Sequence, residues 1–400
     1  MIPFSPPYIS QEVIDEVVDT LKSGWITTGP KTKLFEKKIT QYCGNQRTLC
    51  VNSATFGLEL ILRWYGVGEG DEVIIPAYTY AATANVVLHT GAIPVMVDVN
   101  DDDFNISIKA IEKAITKKTK VIIPVDIAGL PIDYKKLHQV IIDNNNFTPR
   151  TDEQRKLGRI LILSDAAHSF GAIYENKKSG SLTDISVFSF HAVKNLTTAE
   201  GGAICLDLPK PFDNDKIYSF LNMYSLHGQN KDALAKSKIG NWRYDIKVPG
   251  YKGNMTDIMA SIGLVGLKYY DSENLIRRKE IFKKYYNSFS KKVWAINPIF
   301  KTELKESSYH LYLLRINNCN EEKRDKIITE IFNNGVSVNV HFQPLPLLTA
   351  YKDLDCSISD LPISFNNYQR VISLPVYQDL SNKNLEKVIE VVINAVEKYI

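Results

Sequence analysis

Cysteine is scarce in this chain, and long apolar runs are missing from it. The five cysteines, Cys43, Cys50, Cys205, Cys319 and Cys356, are odd in number and scattered. They lack the close paired spacing of zinc sites and redox dithiols, so no metal is expected and the thiols should be buried or incidental. No stretch reaches the ~18 apolar residues of a membrane-spanning helix. The first residues, MIPFSPPYISQEVIDEVVDTL, have neither the basic start nor the continuous apolar run of a signal peptide. A cytoplasmic location is therefore expected. An excess of one charge is lacking too: 48 Lys plus Arg stand against 45 Asp plus Glu, a net of +3. That balance suits neither a nucleic-acid binder nor a membrane-attracted surface.

What is present is an ordinary globular composition, 44% hydrophobic and 23% charged, in 400 residues, enough for two or three structural units. Val13, Ile14, Val17, Val18 and Leu21 recur at helical spacing, with Glu12 in the first turn and Gly24 past the end, and predict an amphipathic helix. Short β-branched runs at 47–51, 72–75, 93–99, 120–125 and 159–164 then alternate with helical patterns. That alternation predicts an α/β unit with a mostly parallel sheet covered by helices. The polar stretch DNNNFTPRTDEQRKLG, 143–158, reads as a surface insertion of little chemical consequence. DISVFSF and GGAICLD read as two further strands, and 256–290 as long helix. Beyond it, YHLYLLRI, a helix near 321–333, VSVNV and a last helix from about 382 suggest a smaller α+β unit. The expected division is 1–270 and 271–400.

Two segments carry chemistry. In ILILSDAAHSFGA an apolar strand delivers Asp165 at its carboxyl end, where ligands bind in open α/β sheets. A lone Asp there also serves as a turn or cap residue. In DISVFSFHAVKNLTTAEGGAI, Lys194 follows a strand-like run and precedes a polar, Gly-containing loop. Such a lysine is either a solvated charge or an amine confined between backbone segments, whose pKa falls on desolvation and which can then attack an aldehyde.

These segments resemble the DegT-type nucleotide-sugar aminotransferases, pyridoxal-phosphate enzymes of the aspartate-aminotransferase fold. Further motifs follow in order: GWITTGP (24–30), NSAT (52–55), GDEVIIPAYTYAATAN (70–85), GYKGNMTDI (250–258) and SLPVYQDLS (373–381). The resemblance implies a fold-type-I large domain with a seven-stranded, mostly parallel sheet and a smaller C-terminal α+β domain. It implies that Lys194 holds pyridoxal phosphate as a Schiff base and shuttles protons, with pyridoxamine phosphate as the alternate form, while Asp165 pairs with the cofactor's ring nitrogen. Tyr80 matches a ring-stacking aromatic, with core packing as its other reading. Ser53 and Ala54 open a helical pattern whose N–H groups can meet a phosphate, although capping by Ser53 or Thr55 needs the same geometry. Ser189 matches a phosphate ligand, and His168 a cofactor contact or else a structural histidine. Asn254 matches a phosphate ligand donated by a neighbouring subunit, which implies a homodimer with shared sites. Thr28, His310 and His341 match positions bordering the sugar.

One departure is PVDIAGLP, where Asp126 stands at a position that is His in many relatives. The stretch from Ser225 to Leu267 looks more like the branch aminating C4 of 4-keto-6-deoxy sugars than the C3 branch, with glutamate as the implied donor. Lys22, Lys31, Lys33, Arg243 and Lys247 are candidate partners for the substrate diphosphate. Two other readings stay open: a dehydratase of the same fold, whose relatives carry His in place of the Schiff-base lysine, and a non-catalytic sugar-nucleotide-binding regulator.

Overall fold

The computed structural model describes residues 1–231 and 243–400. Its centre is a seven-stranded sheet of β1 (Arg47–Val51), β2 (Glu72–Pro76), β3 (Ile93–Val97), β4 (Thr119–Ile122), β5 (Leu161–Asp165), β8 (Ile185–Ser189) and β9 (Gly202–Leu206). Two short strands, β6 (Ile173–Tyr174) and β7 (Lys177–Lys178), lie outside it. The order is β1-β9-β8-β5-β4-β2-β3, and β9 alone runs against the rest. Every residue of β4, β5 and β9 is buried. Burial on both faces is why these strands read as continuous apolar runs.

Helices cover both faces and begin where side chains can cap them: Ser53, Thr151 and Thr256 each accept a hydrogen bond from the first turn of the helix that follows. The long helical stretch is two helices, Asp257–Lys268 and Leu275–Phe289, joined by a π-helical turn at Tyr270–Asn274. A second three-stranded sheet pairs β10 (Ala295–Ile296), β12 (Tyr312–Ile316) and β13 (Val371–Leu374); β11 (Lys305–Glu306) instead pairs with β6. Around β12 and β13 lies a separate apolar core of Phe282, Tyr285, Leu314, Ile327, Val388 and Val392, and Ile2 joins it from the other end of the chain. VSVNV forms no strand; it makes single bridges, Val336 to Ile2 and Asn339 to Ser373.

Two expectations need correction. The 143–158 segment is not only a surface insertion: it folds a helix, Asp152–Leu157, whose fully buried Gln154 donates to Tyr65 O at 3.0 Å. Polar composition misled because a buried glutamine satisfied by a backbone carbonyl packs like an apolar residue. The first helix, Gln11–Lys22, forms as expected, yet Ile14, Val18 and Leu21 are exposed and only Val13 and Thr20 are buried. Periodicity predicts an apolar stripe, not what covers it.

Candidate active site

A cavity of about 350 Å³ opens at the carboxyl ends of the parallel strands, where β5 delivers Asp165 and the loop after β8 delivers Lys194. Ser53, Ala54, Tyr80, His168, Ser189, His310 and His341 line the same space. With Phe4 and Phe342 also in the lining, residues from both ends of the chain converge on one site.

Asp165 is buried, and its carboxylate accepts from Thr83 Oγ1 at 2.9 Å and from Ala167 N at 3.3 Å. Burial pushes its pKa up; the two hydrogen bonds and the Lys194 charge oppose that push without overcoming it. Burial also lowers the Lys194 amine to about 8, against which the Asp165 charge works. Both groups are short of counter-charge, and each is set up to meet a ligand.

Ser53 Oγ caps the helix Ala54–Trp64, accepting from Phe56 N at 3.1 Å, so the capping reading holds while the cavity-facing N-terminus remains open to an anion. A Cβ on Gly202 would lie 2.6 Å from Ala54 N, so only glycine lets β9 pass this close behind that turn. Tyr80 is 65% exposed, which rules out core packing, and its ring lies 6.1 Å from that of Phe342. His168 is buried with Nδ1 unpartnered, and its ring is 4.5 Å from that of His310. Burial holds His168 and His310 well below the ordinary histidine range, and His341 at about 4. All three imidazoles are neutral at physiological pH.

Other predicted residues lie elsewhere. Asn254 Nδ2 donates to Thr28 Oγ1 at 2.6 Å, and neither residue lines the cavity within one chain. Asp126 is fully buried behind the site, accepting from Tyr134 OH, Ile132 N and Ser169 Oγ, and its pKa rises to about 6; its role is structural. Lys31 is paired with Glu16 and Asp19, Lys33 with Glu36, and Lys247 with Asp245, and none of them lines the cavity. Lys22 and Arg243 also lie outside its lining. Part of the stretch expected to mark the C4 branch, 232–242, lies outside the described residues. Sequence reading missed Thr83, Phe342, Glu200 and Phe4. Thr83 had a signal, standing in the first turn of the helix after Tyr80; Phe4 had none.

The site fits pyridoxal phosphate. A buried amine near its neutral form suits the aldehyde, an under-compensated buried carboxyl suits a protonated ring nitrogen, the orphaned His168 Nδ1 lies at the cavity wall, and a free helix N-terminus suits the phosphate. Among the described residues no cluster of His, Cys, Asp or Glu is placed to hold a metal, and no helix is long and apolar enough to cross a membrane.

Comparison with known proteins agrees. Spr1654 of Streptococcus pneumoniae, a candidate sugar aminotransferase, is 48% identical in its PMP-form, with a TM-score of 0.96 and full coverage of both chains, and its PLP-form superposes with a TM-score of 0.95. PseC of Helicobacter pylori, an aminotransferase involved in the biosynthesis of pseudoaminic acid, is 26% identical with a TM-score of 0.86, each chain covered in full. The spore coat polysaccharide biosynthesis protein SpsC of Bacillus subtilis is 35% identical over 99% of this chain and 97% of its own. The fold is fold type I, the cofactor is pyridoxal phosphate and the enzyme is a sugar aminotransferase. With the model of the DegT/DnrJ/EryC1/StrS aminotransferase family matching residues 7–393, the chain belongs to that family.

Proposed function

We propose that this enzyme aminates C4 of a nucleotide-linked 4-keto-6-deoxy sugar, takes the amino group from L-glutamate, and serves surface polysaccharide or glycan biosynthesis in the cytoplasm. The observation that carries the sugar reading is a set of rings lining the cavity: His168, His310 and His341, all neutral, with Tyr80 and Phe342. Uncharged hydrogen-bonding rings suit sugar hydroxyls. Among the described residues Lys194 is the one Lys or Arg in the lining, so cations for a diphosphate would come from outside it.

Pyridoxal phosphate supplies an electron sink for the pair released when the substrate α-proton leaves. Lys194 takes that proton and returns it, its amine being close to half neutral near pH 8. Asp165 would keep the ring nitrogen protonated, Tyr80 would pack against the ring, and Ser53, Ala54 and Ser189 would hold the phosphate. A dehydratase lacks the lysine that Lys194 provides, and a binding module gains nothing from so costly a buried pair. Incubation with glutamate and 4-keto or 3-keto 6-deoxy sugars linked to UDP, GDP or dTDP, with the product examined by NMR, tests the reading. A 4-amino product is expected; an exclusive 3-amino product overturns it.

The working unit is read as a homodimer with shared sites. Tyr8, Ile9, Ile14, Val18, Leu21, Ile26 and Leu34 leave an apolar surface on the first 34 residues, as a second copy would cover. Asn254, placed off its own chain's cavity, is read as reaching the partner's phosphate. Mixing a Lys194→Ala chain with an Asn254→Asp chain then creates one intact site in each mixed dimer. After verified exchange about a quarter of wild-type activity should return; activity no higher than the parents' sinks the shared site.

A further inference from the structure

We propose that Asn195 is a positioning residue that fixes which ring nitrogen of His310 carries the proton, so that His310 offers a bare Nε2 lone pair to the cavity and selects a keto-sugar with a hydroxyl at that point. The selection clause rests on the keto-sugar reading above; the tautomer does not.

The hydrogen bonds allow one arrangement. Asn195 Nδ2 lies 2.7 Å from Ser308 O, a carbonyl that can only accept, which sets the amide's orientation. Its Oδ1 therefore faces His310 Nδ1, at 2.9 Å. An amide oxygen cannot donate, so Nδ1 carries hydrogen. The groups around the ring, His168, Lys194, Arg278 and His341, are all actual or potential cations, and burial among them keeps His310 from taking a second proton. Nε2 is then unprotonated. It makes no hydrogen bond among the described residues, and His310 lines the cavity.

Asn195 is itself held in place. Its carbonyl oxygen accepts from Asn274 Nδ2 at 3.2 Å, and Asn274 Oδ1 accepts from Arg278 Nε at 3.0 Å. Arg278 Nη1 donates to Tyr309 O at 3.3 Å and His310 O at 3.5 Å. One buried guanidinium thus ties the orienting amide and the backbone beneath the imidazole together. Asn195 also directly follows Lys194, so one loop positions the amine and the lone pair. A site that accepts from a hydroxyl discriminates strongly against its deoxy analogue, because the lone pair of a buried ring is left unpaired.

The test uses the cofactor-loaded enzyme with ¹⁵N-labelled histidine, where two-bond proton–nitrogen correlations distinguish the two neutral tautomers and His310→Gln assigns the signal. His310 should be protonated at Nδ1, and Asn195→Leu should shift it toward the Nε2–H form. An Nε2–H signal in the wild type, or a tautomer unmoved by Asn195→Leu, overturns the proposal. Kinetically, Asn195→Leu should lower kcat/KM for the keto-sugar about ten- to hundredfold, with a smaller loss in the glutamate half-reaction. Asn195→Asp keeps the acceptor but raises the His310 pKa, so below that pKa both ring nitrogens donate. Keto-sugar activity should therefore recover as pH rises, a limb absent from wild type and from Asn195→Leu. Equal losses in both half-reactions without that limb would mean that Asn195 is only a staple. If wild type turned over no keto-sugar while the tautomer held, the substrate reading would fail and the positioning would stand.

Discussion

Lys194→Ala should abolish transamination, with turnover down by about four orders of magnitude or more, while the fold survives. Among the described residues lining the cavity Lys194 supplies the one primary amine, the group that bonds an aldehyde and, in the proposed mechanism, moves the α-proton; burial lowers it to about 8. At pH 8 about half of such amines are neutral, against well under about 1% for an ordinary lysine. Removal of the side chain enlarges a ligand cavity and leaves the apolar core untouched. The sign of the stability effect follows from linkage. A lysine whose folded pKa lies below its unfolded value leaves the folded state with fewer bound protons, so it costs stability below about pH 8, and the cost fades as pH rises toward 10.5. Cofactor-free Lys194→Ala should therefore melt no lower than cofactor-free wild type at pH 7. Borohydride should reduce the wild-type holoenzyme and leave the variant's visible absorbance unfixed. Undiminished turnover would remove Lys194 from the mechanism.

Asp165→Asn should slow the half-reaction with glutamate by about a hundredfold or more without loss of thermal stability. The substitution keeps the shape of the group at the end of β5 and takes away its charge, which in the proposed mechanism holds the ring nitrogen protonated. Thr83 and Ala167 both donate to the carboxylate; in the amide, Oδ1 can still accept from Ala167 N while Nδ2 donates to the Thr83 hydroxyl oxygen, whose own hydrogen turns to Thr79, so both contacts can persist. To that is added the relief of a buried charge. Since burial raises the Asp165 pKa, the carboxylate costs the cofactor-free protein stability once pH climbs above its ordinary titration range, and the neutral amide does not. Stopped-flow absorbance of the glutamate half-reaction and a melting curve of the same sample separate the two effects. A half-reaction near the wild-type rate would assign the ring nitrogen to another residue.

That Asp165 and Lys194 line one cavity was legible in the sequence because each is announced locally, by an apolar strand that ends in a polar residue and by a loop that follows one. Most strand positions were legible for the same reason, since β4 and β5 are buried throughout and β1 and β2 beyond their first residue, so burial on two faces fixes their composition. Gln154 and Asp126 were not. Both are polar residues deep in the protein, and their partners, Tyr65 O in one case and Tyr134, Ser169 and Ile132 in the other, come from separate segments.

By itself, then, the sequence determined the main elements and the family, and it singled out the two residues proposed here for the chemistry, because periodicity, strand ends and ordered motifs are properties of neighbouring residues. Tertiary structure alone decided the rest: that three histidines meet around one cavity, that Tyr80 faces open space, that Ile14, Val18 and Leu21 are exposed on the single chain, and that the Asn195 amide lies against His310 Nδ1. Burial, pKa and tautomer are set by atoms brought from distant parts of the chain, and no local pattern encodes that neighbourhood.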